Sequence, residues 1–126
     1  MPSMSESGDD IEVVAVTVSL AWVRELAARL FGDMVKAVVD VEIGVMAIGG
    51  ELHADEESVL LERGSRQSGL WGINLYPDAY PGEDWVEFDS MINIRPGQGN
   101  RSRSVDDPHT QEEIRAVVAR LVRSDG

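Results

Sequence analysis

The sequence predicts an α+β fold, a two-layer sandwich in which a mostly antiparallel sheet carries its helices on one face. Strand-like runs alternate with segments of helical spacing, in the order β-α-β-β-α-β-β-α. The connections between the second and third strands and between the fourth and fifth are short, which favours hairpins over parallel crossovers. The 126 residues are 43% hydrophobic, which suits a single domain over residues 11–126.

The first quarter of the chain predicts a short tail, a strand and a helix. Residues 1–10 are polar and acidic, and we expect them to be disordered. The β-branched run 11–16 predicts the first strand. Ser19 is a good N-cap, and apolar residues at helical spacing predict a helix over 19–31. Gly32 follows at the position where helices commonly end.

The next segment predicts a hairpin and then a short helix. Two strand-like runs, 35–41 and 45–48, are separated by residues 42–44. This short gap ends in a glycine and is typical of a β-hairpin. Asp55 is expected to cap a helix over residues 56–63.

The second half predicts two more strands, a polar loop and a final helix. Residues 70–76 and 86–95 alternate in polarity, as strands with one buried face do. Asp107, with a proline after it, is expected to start the last helix, which ends at residues 124–126. The residues expected to face the helices are Trp71, Ile73, Leu75, Val86, Phe88, Ile92 and Ile94. Those expected on the opposite face are Asn74, Tyr76, Glu87, Asp89, Asn93 and Arg95.

Composition argues against several classes of function. The chain has no cysteine, which removes disulfides, thiolate nucleophiles and Cys-ligated zinc. The formal net charge of −12 disfavours nucleic-acid binding, although an arginine patch can still hold a small anion. No apolar run approaches the roughly 20 residues that cross a bilayer, so we expect no membrane partner. The acidic N-terminus lacks the basic region of a signal peptide, which predicts a cytoplasmic protein.

A candidate binding loop follows the last predicted strand. Arg95, Arg101 and Arg103 are expected to converge on a carboxylate or phosphate, because guanidinium groups match these anions with paired hydrogen bonds. Gln98 and Asn100 add polar side chains, and two glycines allow backbone amides to approach the same anion. The alternative is a loop held by salt bridges to some of the 23 acidic residues, or a subunit contact.

Two asparagines and a histidine complete the candidate site. Asn74 and Asn93 lie within predicted strands, where asparagine is disfavoured, and this supports a binding role over a merely solvated sheet face. His53 is expected to act as a general base with Glu51 or Asp89, because a carboxylate orients an imidazole. A structural histidine beside a helix cap is one alternative. A divalent metal is another, but it would need further ligands, so no metal site is assigned.

Two long runs of the sequence resemble a known family. ELHADEESVLLERGSRQSGLWGINLYP and WVEFDSMINIRPGQGNRSR are similar to a family of short prokaryotic proteins described as a domain of unknown function. The similarity extends over residues 16–122. The resemblance implies a stand-alone domain in which residues 51–55 and 87–103 are the informative segments. It implies no assigned activity.

These patterns together predict binding of a small anionic molecule at the arginine loop. If the protein is an enzyme, we expect acid/base hydrolysis, since the sequence contains no cofactor fingerprint. The identity of any cofactor stays open. The alternative is a non-catalytic module that forms a homo-oligomer or binds a protein partner. Tyr80 and Trp85 are the expected contacts of such an interface, because exposed tryptophans anchor many interfaces.

Overall fold

The computed structural model describes residues 10–124, which contain three helices and seven strands. The helices are α1 (Leu20–Arg29), α2 (His53–Glu62) and α3 (Pro108–Leu121). The strands are β1 (Glu12–Val14), β2 (Val18–Ser19), β3 (Val35–Asp40), β4 (Val45–Ile48), β5 (Leu70–Leu75), β6 (Val86–Glu87) and β7 (Val122–Arg123). The predicted α+β class is confirmed.

Five of the strands form one antiparallel sheet in the order β1-β4-β3-β5-β6. The two-residue strands β2 and β7 form a separate parallel pair. Disorder is predicted for residues 1–10, and all of these except Asp10 lie outside the described residues. α3 ends at Leu121, before the predicted stop, and residues 125–126 also lie outside the described part. No helix within residues 10–124 is long and apolar enough to cross a membrane.

The predicted hairpin joins β3 to β4, and a buried aspartate closes it. The Oδ1 atom of Asp40 accepts hydrogen bonds from the backbone N–H groups of Glu42 and Ile43, at 2.8 and 3.1 Å. Gly44 completes the turn with a φ of 80°, a left-handed conformation that glycine adopts without steric cost. Local residues therefore account for this turn.

α1 and α3 begin where the sequence predicts and pack on one face of the sheet. Ser19 Oγ accepts from the backbone N–H of Trp22, and Asp107 Oδ1 accepts from that of His109, both at 3.1 Å. The cluster between these helices and the sheet contains alternate residues of β3 and β5. Burying each aliphatic side chain there stabilises the fold by roughly 1.5–3 kcal/mol.

α2 packs on the opposite face of the sheet, which differs from the expected arrangement with all helices on one face. A second cluster of buried residues forms between this helix and the sheet, from Val38, Ala47, Leu60 and Leu70. The central strands are apolar on both faces, so the second face also needs a cover. α2 begins at His53, without a side-chain cap, and the expected capping role of Asp55 is wrong.

The strand predicted over residues 86–95 ends after only two residues. β6 stops at Glu87, and Met91–Asn93 forms a 3₁₀ turn. The predicted common face is therefore wrong, since Ile92 packs on the α2 side of the sheet and Ile94 is 38% exposed. The side chain of Asn93 takes the place of the missing strand by hydrogen-bonding to Gly72 at the open edge of β5.

Trp85 does not present an exposed interface anchor. It is buried in the cluster beneath α1 and α3, and its ring packs edge-on against Tyr80 at a centroid distance of 5.1 Å. The predicted interface role of Trp85 therefore loses its basis, because this side chain packs in the core of its own chain. The predicted interface contact of the half-buried Tyr80 stays a prediction.

Candidate functional site

A cleft opens beside the start of α2, on the sheet face that this helix covers. Its volume is about 450 Å³, which lies within the range of small-molecule sites. Residues from the start of α2, from β3, β5 and β6, and from the chain after β6 contribute to it. This α2 cleft is lined by Met34, Lys36, Leu52, His53, Ala54, Asn74, Tyr76, Glu87, Asp89, Ser90, Met91, Ile92 and Arg103.

His53 is the first residue of α2 and supplies a neutral imidazole to the α2 cleft. Its side chain is mostly buried, and Nε2 donates to the carbonyl oxygen of Ile73 at 2.8 Å. Because a carbonyl only accepts, Nε2 carries the proton and Nδ1 keeps its lone pair. Burial lowers the pKa of His53; the Ile73 hydrogen bond opposes this shift, and the charge of Lys36 adds to it. The imidazole is therefore a neutral base at pH 7.

Gly72 lets the chain around the α2 cleft approach the sheet closely. A Cβ atom at this position would lie 2.6 Å from Ser90 Oγ and 3.2 Å from Cδ2 of His53. Both distances are shorter than ordinary van der Waals contact, so any larger residue would displace these side chains. The glycine therefore helps to set the position of His53.

Asn74 places an unpartnered acceptor at the α2 cleft. The side chain is 6% exposed, and Nδ2 donates to Oε1 of Glu87 at 2.8 Å and to the carbonyl of Asp89 at 3.3 Å. Within residues 10–124 no donor reaches its Oδ1 with ordinary hydrogen-bond geometry, and its contact with the His53 imidazole only opposes the lowering of the His53 pKa by burial. A buried polar atom without a partner costs on the order of 1–3 kcal/mol. A donor group on a bound molecule would recover that energy.

The carboxylates and the arginine of the α2 cleft are already paired with neighbours. Nε of Arg103 lies 2.7 Å from Oδ1 of Asp89. Oε1 of Glu87 accepts from the amide of Asn74 and, at 3.1 Å, from the hydroxyl of Tyr76. Burial is the main cause that raises the pKa of Tyr76, with the hydrogen bond to Glu87 adding to it. These contacts hold the polar side chains in place.

Lys36, the chain's one lysine, differs from the other charged groups of the α2 cleft. Its Nζ lies 5.3 Å from the centroid of the Phe31 ring. No carboxylate of residues 10–124 comes within 4.0 Å of that nitrogen. Its ammonium group therefore brings positive charge to the α2 cleft that no close ion pair neutralises.

The family of the chain follows from comparison with family models. The model described as "Protein of unknown function (DUF5674)" matches residues 12–121. The chain belongs to this family. No curated protein and no solved structure matches it. Every residue of the α2 cleft lies within the matched range, so the site is part of the DUF5674 domain.

In this DUF5674 domain, four of the residues predicted from the sequence meet at the α2 cleft. They are His53, Asn74, Asp89 and Arg103. Asp89 does not orient the imidazole as predicted, since the carbonyl of Ile73 does so. The other predicted residues lie outside the α2 cleft. They are Glu51, Asn93, Arg95, Gln98, Asn100 and Arg101.

Arg95 supports the fold, and the predicted convergence of the three arginines is wrong. Its guanidinium carbon lies 4.3 Å from the centroid of the Trp71 ring. The same group donates to the carbonyl oxygens of Gln67, Leu70 and Ile92. Burial lowers the pKa of Arg95, which stays protonated. An arginine with its donors engaged in this way holds loops together.

Asn93 and Asn100 also hydrogen-bond to the backbone of their own chain. Asn93 is fully buried, and its side-chain amide accepts from the backbone N–H of Gly72 and donates to the Gly72 carbonyl. Nδ2 of Asn100 donates to the carbonyls of Asn93, Ser102 and Ser104, at 2.8, 3.1 and 2.7 Å. The amide side chains of both asparagines therefore hold the local backbone in place.

The remaining predicted residues lie on the surface. Arg101 is exposed, and its backbone N–H donates to Asp106 at 3.1 Å. Gln98 donates to the carbonyl of Ser68 at 2.8 Å. Glu51 is exposed and lines a separate cavity near α1, away from His53. Its predicted role beside the histidine is therefore wrong.

Sequence reasoning missed Lys36, Leu52 and Met91 as residues of the α2 cleft. A signal for the lysine was present, since it interrupts an apolar strand at a position that shares a face with Val38. The other two lie at the ends of the segments that form the opening, and no local pattern marks them. Within residues 10–124, no three carboxylate or histidine side chains are grouped to hold a metal ion.

Proposed function

We propose that the protein binds a small anionic molecule in the α2 cleft, with Lys36 receiving the negative charge. The observation that carries this proposal is the ammonium group without a close carboxylate, in a concave site of about 450 Å³. Arg103 adds a second cation, although it is paired with Asp89. The proposal thus places anion binding in the α2 cleft, to which only Arg103 of the three predicted arginines contributes.

The start of α2 supports the same proposal. This ten-residue helix has no side-chain cap, and its first residues, His53 and Ala54, line the α2 cleft. Backbone N–H groups in the first turn of a helix have no partner within the helix, and the helix dipole favours negative charge there. An anion beside Lys36 would therefore be close to the free N–H groups of the first turn and to the positive end of the helix dipole.

A titration followed by NMR tests this proposal. Inorganic phosphate and hexanoate are added separately to the wild type, to Lys36→Met and to Arg63→Met. The arginine is exposed at the other end of α2, so the second variant removes the same charge elsewhere. We expect saturable shifts of the amide signals of residues 53–54 with at least one probe, weakened at least tenfold only in Lys36→Met. No saturable shift in the wild type, or equal affinity in Lys36→Met, contradicts the proposal.

The orientation of His53 supports a second function, acid/base hydrolysis in the same site. With Nε2–H held by Ile73, Nδ1 is the atom that would take a proton from a water molecule attacking a bound ester. We expect hydrolysis of 4-nitrophenyl hexanoate by the wild type and by His109→Gln, which changes an exposed histidine, and not by His53→Gln. Equal rates in His53→Gln and wild type would exclude this role.

A further inference from the structure

The α2 cleft contains groups that a simple anion does not satisfy. Glu87 and Asp89 line it together with Lys36 and Arg103, so two negative charges face any bound molecule. Oε1 of Glu87 and Oδ1 of Asp89 have donors, as described above, while each carboxylate also has a second oxygen. Beside these groups, a ligand that carries only negative charge would bind less tightly than one that also brings a positively charged group.

The unpartnered Oδ1 of Asn74 also requires a donor. Nδ2 of this residue contacts Glu87, so the amide oxygen and the carboxylate belong to one polar cluster. An ammonium group has three N–H donors and a positive charge, and thus suits both an amide oxygen and a carboxylate. The ammonium group of Lys36 is itself a positively charged donor, so it suits a carboxylate on the ligand and not a second ammonium group.

The opening of the α2 cleft is apolar. Leu52 precedes α2 and is 54% exposed, and Met91 begins the 3₁₀ turn after β6 and is 64% exposed. Both line the α2 cleft. Exposed side chains of this size at a concave site favour an apolar part on the bound molecule, and the flexible thioether of methionine adapts to its shape.

We infer that the ligand of the α2 cleft is a zwitterionic α-amino acid with an apolar side chain. Its carboxylate contacts Lys36, its ammonium group contacts Asn74 Oδ1 and Glu87, and its side chain lies between Leu52 and Met91. This inference rests on the proposed anion-binding function, which it refines by naming the class of ligand. It explains why both signs of charge and an apolar opening occur in one site.

Three matched compounds test the inference by calorimetric titration of the wild type. 2-Aminohexanoate carries both charged groups, hexanoate lacks the ammonium group, and pentylamine lacks the carboxylate. We expect 2-aminohexanoate to bind at least tenfold more tightly than either of the others. Hexanoate binding as tightly as 2-aminohexanoate would overturn the inference and leave the proposed function standing. Pentylamine binding as tightly, or no binding by any of the three, would also overturn the inference, and the phosphate and hexanoate titrations then decide the proposed function separately.

Variants locate the contacts with the ammonium group and the side chain. Glu87→Gln is expected to remove most of the preference for 2-aminohexanoate over hexanoate, whereas Glu62→Gln, at the exposed end of α2, should retain it. Met91→Ser is expected to weaken 2-aminohexanoate several-fold while leaving alanine binding unchanged. An unchanged preference in Glu87→Gln, or an unchanged affinity for 2-aminohexanoate in Met91→Ser, counts against the assigned contacts and overturns the inference.

Discussion

The side-chain amide of Asn93 hydrogen-bonds to both backbone groups of Gly72. Its Oδ1 accepts from the glycine N–H at 2.8 Å, and its Nδ2 donates to the glycine carbonyl at 3.0 Å and to the carbonyl of Arg103 at 2.9 Å. β6 has ended by this point, so the edge of β5 has no further strand to pair with. One amide side chain therefore satisfies the backbone groups that a neighbouring strand would otherwise pair.

Replacing Asn93 should destabilise the protein strongly. Asn93→Ala leaves the N–H and carbonyl of Gly72 without partners, and each buried unpaired group costs about 1–3 kcal/mol. We expect a loss of roughly 3 kcal/mol in the free energy of unfolding, measured with urea. Gln98→Ala removes an amide from the exposed loop and should cost less than about 1 kcal/mol. Similar losses in the two variants would show that Asn93 has no special role at the sheet edge.

A methyl group at position 72 should disturb the wall of the α2 cleft. The added Cβ of Gly72→Ala would meet Ser90 and His53 at the short distances given above, and overpacking of this kind costs about 1–3 kcal/mol. We expect lower stability and shifted NMR signals of the His53 ring. The double variant Gly72→Ala/Ser90→Gly should recover part of the loss, because it removes the closer of the two contacts.

Gly97→Ala provides the matched control for the previous substitution. No atom lies within 4 Å of a Cβ at that position, so a methyl group there meets open space. We expect a change in stability within about 1 kcal/mol, because a freely tolerated alanine mainly restricts the unfolded chain. Equal destabilisation at positions 72 and 97 would argue against close packing as the cause.

Glu56 should make the stability of the protein fall as the pH rises. Its carboxyl group is fully buried, and burial raises its pKa well above the usual value, more than the hydrogen bond from the Gly50 N–H lowers it. The folded state therefore holds a proton that the unfolded chain releases. This contribution to stability is complete below the ordinary pKa of 4.5 and is lost as the pH rises through the higher folded value.

Glu56→Gln is expected to flatten this dependence, because glutamine has no proton to release and can still accept from Gly50. Urea unfolding between pH 5 and about pH 8, where most proteins are stable, measures the slope. Glu62→Gln changes an exposed carboxyl group on the same helix and should follow the wild type. A slope in Glu56→Gln equal to that of the wild type would mean that another group is responsible.

Arg95→Lys should reduce stability without affecting ligand binding. Lysine keeps the charge but loses the planar group that stacks on Trp71 and donates to three carbonyl oxygens. We expect a loss of about 1–3 kcal/mol in the free energy of unfolding, because this half-buried group loses hydrogen bonds of a charged donor. Arg101→Lys, on the exposed part of the same loop, serves as control. A loss of hexanoate affinity in Arg95→Lys with unchanged stability would restore the ligand-binding role predicted from the sequence.

The residue types of the predicted site identified some residues of the α2 cleft correctly but could not separate them from residues that bind the backbone. His53, Asn74, Asp89 and Arg103 meet at one cleft although they come from four separate segments of the chain. Arginine and asparagine side chains suit ligands, but they suit backbone carbonyls equally well, and their spacing does not distinguish the two. Arg95, Asn93 and Asn100 bind the backbone of their own chain, and the sequence alone could not show these partners.

The sequence by itself determined the local structure of this protein. The cap at Ser19, the cap at Asp107 and the hairpin after Asp40 depend on residues within a few positions of one another, so their patterns can be read directly. The tertiary structure alone decided where β6 ends, which face α2 covers and which charged groups surround the α2 cleft. Those features depend on pairs such as Gly72 and Asn93, which lie 21 residues apart and meet only when the sheet has formed.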